Sequence, residues 1–339
     1  MSLGELLPIT LSNELPATTR QPLDNGVVLR WVAEGVLRVD PPLPGKRHLL
    51  LSAGVHGNET APVELLDRWL RRIVAGEIVP RHSLMLMLGN PAALRAGTRY
   101  VEQDMNRLFN GAHLQSPGLE GRRAARLERL ASAFFEGATA GLHYDLHTAI
   151  RRSRFEKFAL YPWQPDRSLP DAEYLRLAVA GMQAVLSHER PGHTFSAFTS
   201  QIPDVESFTL ELGKARPFGA NTGLDTAAFE QAITALSEAR EMATHPDLAL
   251  PPRMRAASSL IKLSDAFRFH LDDEVENFKP LAPGALIAVD GSRRWYVEHD
   301  RAYLLFPNPD VAIGQRAGLI VVHEEGIAPE CGAERNAIN

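Results

Sequence analysis

His56 and Glu59 stand three residues apart in "SAGVHGNETAPVELL" (residues 52–66), where an apolar run gives way to a helical pattern. A second histidine, His147, lies in "HYDLHTA", and a second glutamate, Glu211, lies in "SFTLELGKARPFG". Two imidazoles and one carboxylate form a known hydrolytic zinc set, which leaves a fourth position open for water. A fourth protein ligand would close the site, so Glu211 is assigned to the water, as the group that moves its proton. The same residues admit a plainer reading, because a histidine followed three positions later by a glutamate often arises by chance. His147 is then a hydrogen-bonded core histidine, and Glu211 a helix-capping or salt-bridged carboxylate.

Such chemistry needs rigid elements to hold it. The run "RHLLLSAG" before His56 reads as a buried strand, and Val63, Leu66, Leu70 and Ile73 follow at helical spacing. His56 and Glu59 therefore fall at a strand-to-helix turn, the edge at which open α/β sheets bind ligands. Strands are expected at 47–53, 84–89, 142–147, 155–161 and 207–213, and helices at 61–75, 119–136, 171–187 and 225–243. Asp225 is expected to open the last helix. Pro62 suits the first turn of the first, where its missing donor costs nothing. The Arg/Glu-rich stretch 120–129 is read as the solvated face of a helix.

This alternation predicts an α/β fold with a mixed, mainly parallel sheet flanked by helices. The character changes after "THPDLALPPRMR", where prolines 246, 251 and 252 interrupt any helix. In "GALIAVDGSRRWYVEHD" an Asp290-Gly291 turn separates two strand-like runs, which signals a hairpin. The expected division is a catalytic domain over 1–248 and a smaller β-rich C-terminal domain over 249–339.

Bulk composition narrows the function classes. The 339 residues are 45% hydrophobic and 23% charged, as in a folded soluble protein. The net charge of −5 supplies no global field for nucleic acid or an anionic membrane, so any recognition of anions must be local. The N-terminus lacks a basic start and a sustained apolar stretch, which predicts neither signal peptide nor membrane anchor and a cytoplasmic location. The single cysteine, Cys331, cannot form an internal disulfide and is read as an inert free thiol.

The wording of four segments adds more. "AGVHGNETAPVELL", "GNPAALRAGTRYVEQDMNRLF", "DLHTAIR" and "TLELGKARPFGAN", with "YLLFPNPDVAIGQRAGLIV" near the C-terminus, follow one another in family order. In these motifs the chain resembles the aspartoacylase-related branch of the zinc carboxypeptidase-like enzymes over nearly its whole length. The resemblance implies a zinc-dependent hydrolase of a linear amide, cleaving N-succinyl-L-glutamate to succinate and L-glutamate at the end of arginine catabolism by the succinyltransferase route. A related N-acyl amino acid deacylase is the alternative, and a scaffold retained only for binding is a third reading. By the matching motifs, one zinc ion per chain would be held by His56, Glu59 and His147, with Glu211 as general base and then acid. Arg99 would lie near the scissile carbonyl, and Asn106 and Arg107 would bind a substrate carboxylate.

A substrate with three carboxylates needs a local cationic pocket, and guanidinium forks suit carboxylates. Arg151, Lys214 and Arg216 adjoin the motifs and are further candidates, beside the alternative of ordinary surface placement. Asp145 has the strand parity of His147, so it could orient that ring or make a structural hydrogen bond. His143 shares this parity and competes as a ligand, but the motif match centres on His147.

Overall fold

The computed structural model describes residues 1–242, 248–272 and 274–324, so Cys331 lies outside the described residues. Helix α1 (Leu6–Ser12) leads into strands β1 (Arg20–Pro22), β2 (Val28–Ala33) and β3 (Val36–Asp40), which pair antiparallel. The central framework follows as β4 (Arg47–Ala53), α2 (Thr60–Val74), β5 (Ser83–Leu88), α3 (Pro91–Ala96), α4 (Leu119–Phe135), β6 (Ala140–Ala149) and β7 (Lys157–Tyr161). It ends with α5 (Asp171–Val179), β8 (Ala184–Ser187), α6 (Phe195–Thr199), β9 (Val205–Lys214) and α7 (Ala227–Ser237). Strands β5, β4, β6 and β9 lie side by side and parallel, while β7 joins β9 in the opposite sense.

Alternation along these strands sorts side chains onto two faces. Leu84, Leu86 and Leu88 of β5 enter one core with Trp69 and Leu70 of α2, whereas Met85 and Met87 enter the other with Phe134 of α4. On β6, Leu142, Tyr144 and Leu146 take the first face. The intervening His143, Asp145 and His147 are equally buried. A buried leucine contributes roughly 1.5–3 kcal/mol by leaving water. Buried polar groups contribute only when their hydrogen bonds are made.

The C-terminal segment comprises β10 (Arg253–Ile261), β11 (Arg268–Phe269), β12 (Lys279–Leu281), β13 (Leu286–Asp290), β14 (Arg293–Tyr296), β15 (Ala302–Leu305) and β16 (Arg316–His323). It is β-rich, and the expected hairpin forms, with Asp290 opposite Arg293 and Gly291 at φ +57. The main sheet also continues into this domain, because Arg253 and Met254 of β10 pair in parallel with Val185 and Leu186 of β8.

One expected helix is corrected. The reading of 171–187 as a single helix fails at Gly181, which adopts φ +81, and the chain beyond it forms strand β8. Glycine takes that conformation without strain. The short run "AVLS" carries no period that tells strand from helix. Helix α7 likewise ends at Ser237, short of the expected 243, with Ala239 at φ +55 just beyond it. Thr226 and not Asp225 immediately precedes the helix, although the Asp225 side chain still accepts from the Ala227 amide at 3.1 Å. Among the described residues no helix is long and apolar enough to cross a membrane.

Candidate active site

Strand β4 ends at Ala53, and the next residues turn sharply before α2 begins at Thr60. Gly57 makes this possible, for a Cβ there would come within 2.1 Å of the Ala93 backbone in α3. Glu59 occupies the position that precedes the helix, yet its side chain caps nothing. Its two oxygens turn inward instead. Oε1 lies 2.8 Å from His56 Nδ1 and accepts from Arg99 Nη1 at 2.9 Å. Oε2 lies 2.8 Å from His147 Nδ1 and accepts from the Thr148 amide at 3.1 Å.

His147 comes from β6 and Glu211 from the adjacent parallel β9, where the two are direct register partners. Sheet pairing alone therefore sets Glu211 beside the histidine. The Glu211 carboxyl is buried, and its Oε2 has no hydrogen-bond partner among the described residues. Neither plainer role, helix cap or salt bridge, is seen for that atom. Asp145 lies behind His147, its Oδ2 accepting from the ring Nε2 at 3.0 Å, so the orienting contact expected of it is present. His143, set aside as a ligand, bonds to Ser52 and Thr199.

Charge coupling separates these groups. Burial opposes ionisation of Glu59, but the imidazoles of His56 and His147 overcome it and hold the carboxyl well below its usual range. Burial resists a proton on His147, yet Asp145 and Glu59 raise the ring well above an ordinary histidine. Glu211 goes the other way, pushed up to about 7 by burial and by the charge of Glu59, against the pull of His147, His56 and Arg99. A glutamate poised near neutrality can both take and return a proton.

The donors of His56, Glu59 and His147 lie within 4.8 Å of one another and are buried, so these three side chains could hold a metal ion. Neutral nitrogen donors with one carboxylate suit zinc. The short contacts from both imidazoles to a single carboxylate bring three donor groups to one point, where a cation could compete for the same atoms. The unpartnered Glu211 oxygen beside them is left for a group not supplied by the protein.

A second stretch, 99–110, forms the other side of the site. Asp104 accepts from His56 Nε2 at 2.9 Å and lies 3.5 Å from Arg99, so it fixes His56 much as Asp145 fixes His147. Burial opposes its charge, but His56, Arg107 and Arg99 hold it far below the ordinary aspartate range. Sequence reasoning missed Asp104, although its place two residues before Asn106 in the quoted motif was a signal. Asn106 is buried, and its Oδ1 accepts from the Phe195 amide at 3.0 Å, which leaves its Nδ2 donors available. Arg107 is exposed, and one nitrogen donates to the Asn106 carbonyl at 2.9 Å.

Helix α4 anchors this stretch, and here the reading of 120–129 as a solvated face holds for the exposed Arg122, Arg126 and Arg129 but is corrected for Glu120, Arg123 and Glu128. Glu120 is buried and accepts from the amides of Val101, Glu102 and Gln103 and from Asn90 Nδ2. Arg123 donates to the carbonyls of Glu34, Leu88 and Gly89, and Glu128 accepts from the Asn110 amide at 2.6 Å. Charged residues at helical spacing resemble a surface stripe, but these satisfy backbone groups that a folded loop would otherwise bury unpaired. Of the other cations considered, Lys214 and Arg216 are exposed and Arg151 is half-buried.

Fold and site together define an α/β protein whose mainly parallel sheet carries, at its strand ends, a buried His-Glu-His group and an adjacent glutamate of raised pKa. Residues 45–237 match the family described as succinylglutamate desuccinylase/aspartoacylase catalytic domain, and residues 253–324 match the AstE/AspA barrel-sandwich hybrid domain. The chain belongs to this succinylglutamate desuccinylase/aspartoacylase family. A succinylglutamate desuccinylase of Pseudomonas paraeruginosa is 50% identical to it over 331 residues, covering 95% of this chain and 98% of the relative. The crystal structure of the succinylglutamate desuccinylase from Chromobacterium violaceum matches at TM-score 0.84 and 42% identity, over 95% of this chain and 98% of the other. The corresponding structure from Vibrio parahaemolyticus matches at TM-score 0.88 and 32% identity, over 95% and 97%.

Proposed function

We propose that this chain is a zinc-dependent amidohydrolase that cleaves N-succinyl-L-glutamate to succinate and L-glutamate, the closing step of arginine catabolism by the succinyltransferase route. The observation that carries this reading is the buried, unpartnered Oε2 of Glu211, in register with His147 and beside the His56/Glu59/His147 group. Relatives of the same length and named activity support the choice of substrate.

His56, Glu59 and His147 would hold the zinc ion. Bound there, it would lower the pKa of water to roughly 7 and polarise the scissile carbonyl. Glu211 takes the proton of the attacking water at Oε2 and returns it to the departing amide nitrogen. That nitrogen is a poor leaving group until protonated. Such general acid-base help is worth about a hundred- to ten-thousand-fold. Arg99 offers a guanidinium to the oxyanion, since only part of its fork is engaged by Glu59 and Asp104. Asn106 Nδ2 and the Arg107 fork receive a substrate carboxylate. Arg107 keeps nitrogens beyond the one bonded to the Asn106 carbonyl, and no carboxylate pairs with it among the described residues.

Steady-state rates on N-succinylglutamate, N-acetylglutamate and N-acetylaspartate, with and without zinc, test the assignment. The expected result is zinc-dependent turnover with the highest kcat/KM on the succinyl substrate. A preference for an acetyl substrate would move the chain to a related deacylase, and no zinc-dependent turnover on any of the three would refute the hydrolase reading.

A further inference from the structure

Behind His147 a line of buried polar groups crosses four elements of the fold. Ser207 Oγ of β9 lies 2.9 Å from Thr199 Oγ1 of α6, and Thr199 lies 2.7 Å from His143 Nδ1 of β6. His143 Nε2 lies 2.7 Å from Ser52 Oγ of β4, and Ser52 lies 2.5 Å from Asp145 Oδ1. The other oxygen of Asp145 meets His147 Nε2 at 3.0 Å. Ser52, His143, Asp145, Thr199 and Ser207 are all essentially inaccessible to water. Every hydrogen in the line must therefore be supplied from within it.

Counting donors fixes the direction of each bond. A carboxylate only accepts, so the single hydrogen of Ser52 goes to Asp145. Toward His143, Ser52 can then only accept, which puts the hydrogen of His143 on Nε2. Burial holds His143 down at about 4, against the pull of Asp145, so the ring is neutral and its Nδ1 is bare. That nitrogen accepts from Thr199 at 2.7 Å, a shorter contact than the 3.2 Å from the same hydroxyl to the Phe195 and Ser196 carbonyls, and the Thr199 oxygen is left to accept from Ser207. The edge of the His143 ring also packs on Phe195, with centroids 4.7 Å apart, which opposes a flip that would exchange its nitrogens. The hydrogens all run one way and end on Asp145.

We propose that Ser52 and His143 are positioning residues that fix the Asp145 carboxylate, so that His147 is held with hydrogen on Nε2 and its Nδ1 lone pair left free for the zinc ion. The proposal rests on the zinc reading given above. It goes beyond that reading by assigning a role to two residues that touch neither zinc nor substrate. An Asp145 with one unsatisfied oxygen would rotate to seek another donor, and His147 would lose its fixed tautomer. Groups that orient metal-binding histidines in this indirect way typically change metal affinity by about 10- to 100-fold.

The test uses the full-length protein and zinc itself, in Ser52→Ala, His143→Leu and His143→Gln. Glutamine can still donate to Ser52 from its amide nitrogen and accept from Thr199 at its oxygen, so it serves as the conservative control. Chelator competition is expected to show zinc bound about 10- to 100-fold more weakly in Ser52→Ala and His143→Leu, with much of the loss recovered in His143→Gln. Imidazole 15N-1H correlation spectra of the zinc-loaded proteins should show one Nε2-H tautomer for His147 in the wild type and a second population in Ser52→Ala. Lowered melting temperatures with unchanged zinc affinity and unchanged His147 signals would overturn the proposal, leaving only a packing role. If the wild type takes up no zinc, the functional reading falls and this proposal with it. Wild-type binding with unaffected variants removes this proposal alone.

Discussion

The two sides of the site are built by different means. On one side, His56, Glu59, His147 and Glu211 are placed by strand ends, and register alone brings His147 and Glu211 together. On the other, Arg99, Asp104, Asn106 and Arg107 lie on a stretch with only one short helical turn, Met105–Arg107, and it is held by Glu120 and Glu128 of α4. The first side inherits its rigidity from the sheet. The second depends on individual buried charges, so single substitutions far from the chemistry can displace it.

If this contrast is right, the largest effect belongs to the sheet side. Glu211→Gln is expected to lower kcat by about a hundred- to ten-thousand-fold while zinc stays bound, because an amide cannot shuttle a proton. Near-normal turnover in that variant would remove Glu211 from the mechanism.

The same residue gives a pH signature in the metal-free protein. Its folded pKa of about 7 lies above the ordinary 4.5, so the folded state holds the proton more tightly than the unfolded chain. The resulting stability is full below about 4.5 and is lost as pH rises through about 7. Relative to Glu211→Gln, the metal-free wild type should lose up to about 3 kcal/mol between pH 4 and pH 8 in denaturant unfolding. A difference independent of pH would contradict the assigned environment.

On the loop side, Glu120→Ala should leave three amides and Asn90 without their acceptor. The expected cost is about 3 kcal/mol of stability and, in surviving folded protein, roughly a 100-fold fall in kcat/KM. An unchanged kcat/KM would show that α4 does not set the position of this stretch. The smallest effect is expected for Arg107→Lys, which keeps the charge but loses the fork: KM rises about tenfold with kcat little changed. An unchanged KM would count against a carboxylate contact at this residue.

The same contrast explains what could be read from the sequence. The strands at 47–53 and 142–147 were legible because apolar runs bounded by glycine or polar turns are distinctive, and His56, Glu59 and His147 stand at or just beyond their ends. Glu120 and Arg123 were misread because their spacing is that of a solvated helix face, and nothing local says that a loop will fold over them. Strand β8 was lost inside an expected helix, since four apolar residues carry too little pattern. Asp145 was legible by strand parity. Ser52 and His143 were not linked to it, because they meet across two strands 91 residues apart.

The central claim is that folding gathers His56, Glu59 and His147 into one cation site, with Glu211 beside it but outside it. Calorimetric titration of zinc into metal-stripped protein tests this most directly. One zinc per chain is expected, lost in His56→Ala and His147→Ala and kept in Glu211→Gln. No stoichiometric binding in the wild type, or binding that survives loss of either histidine, would contradict it.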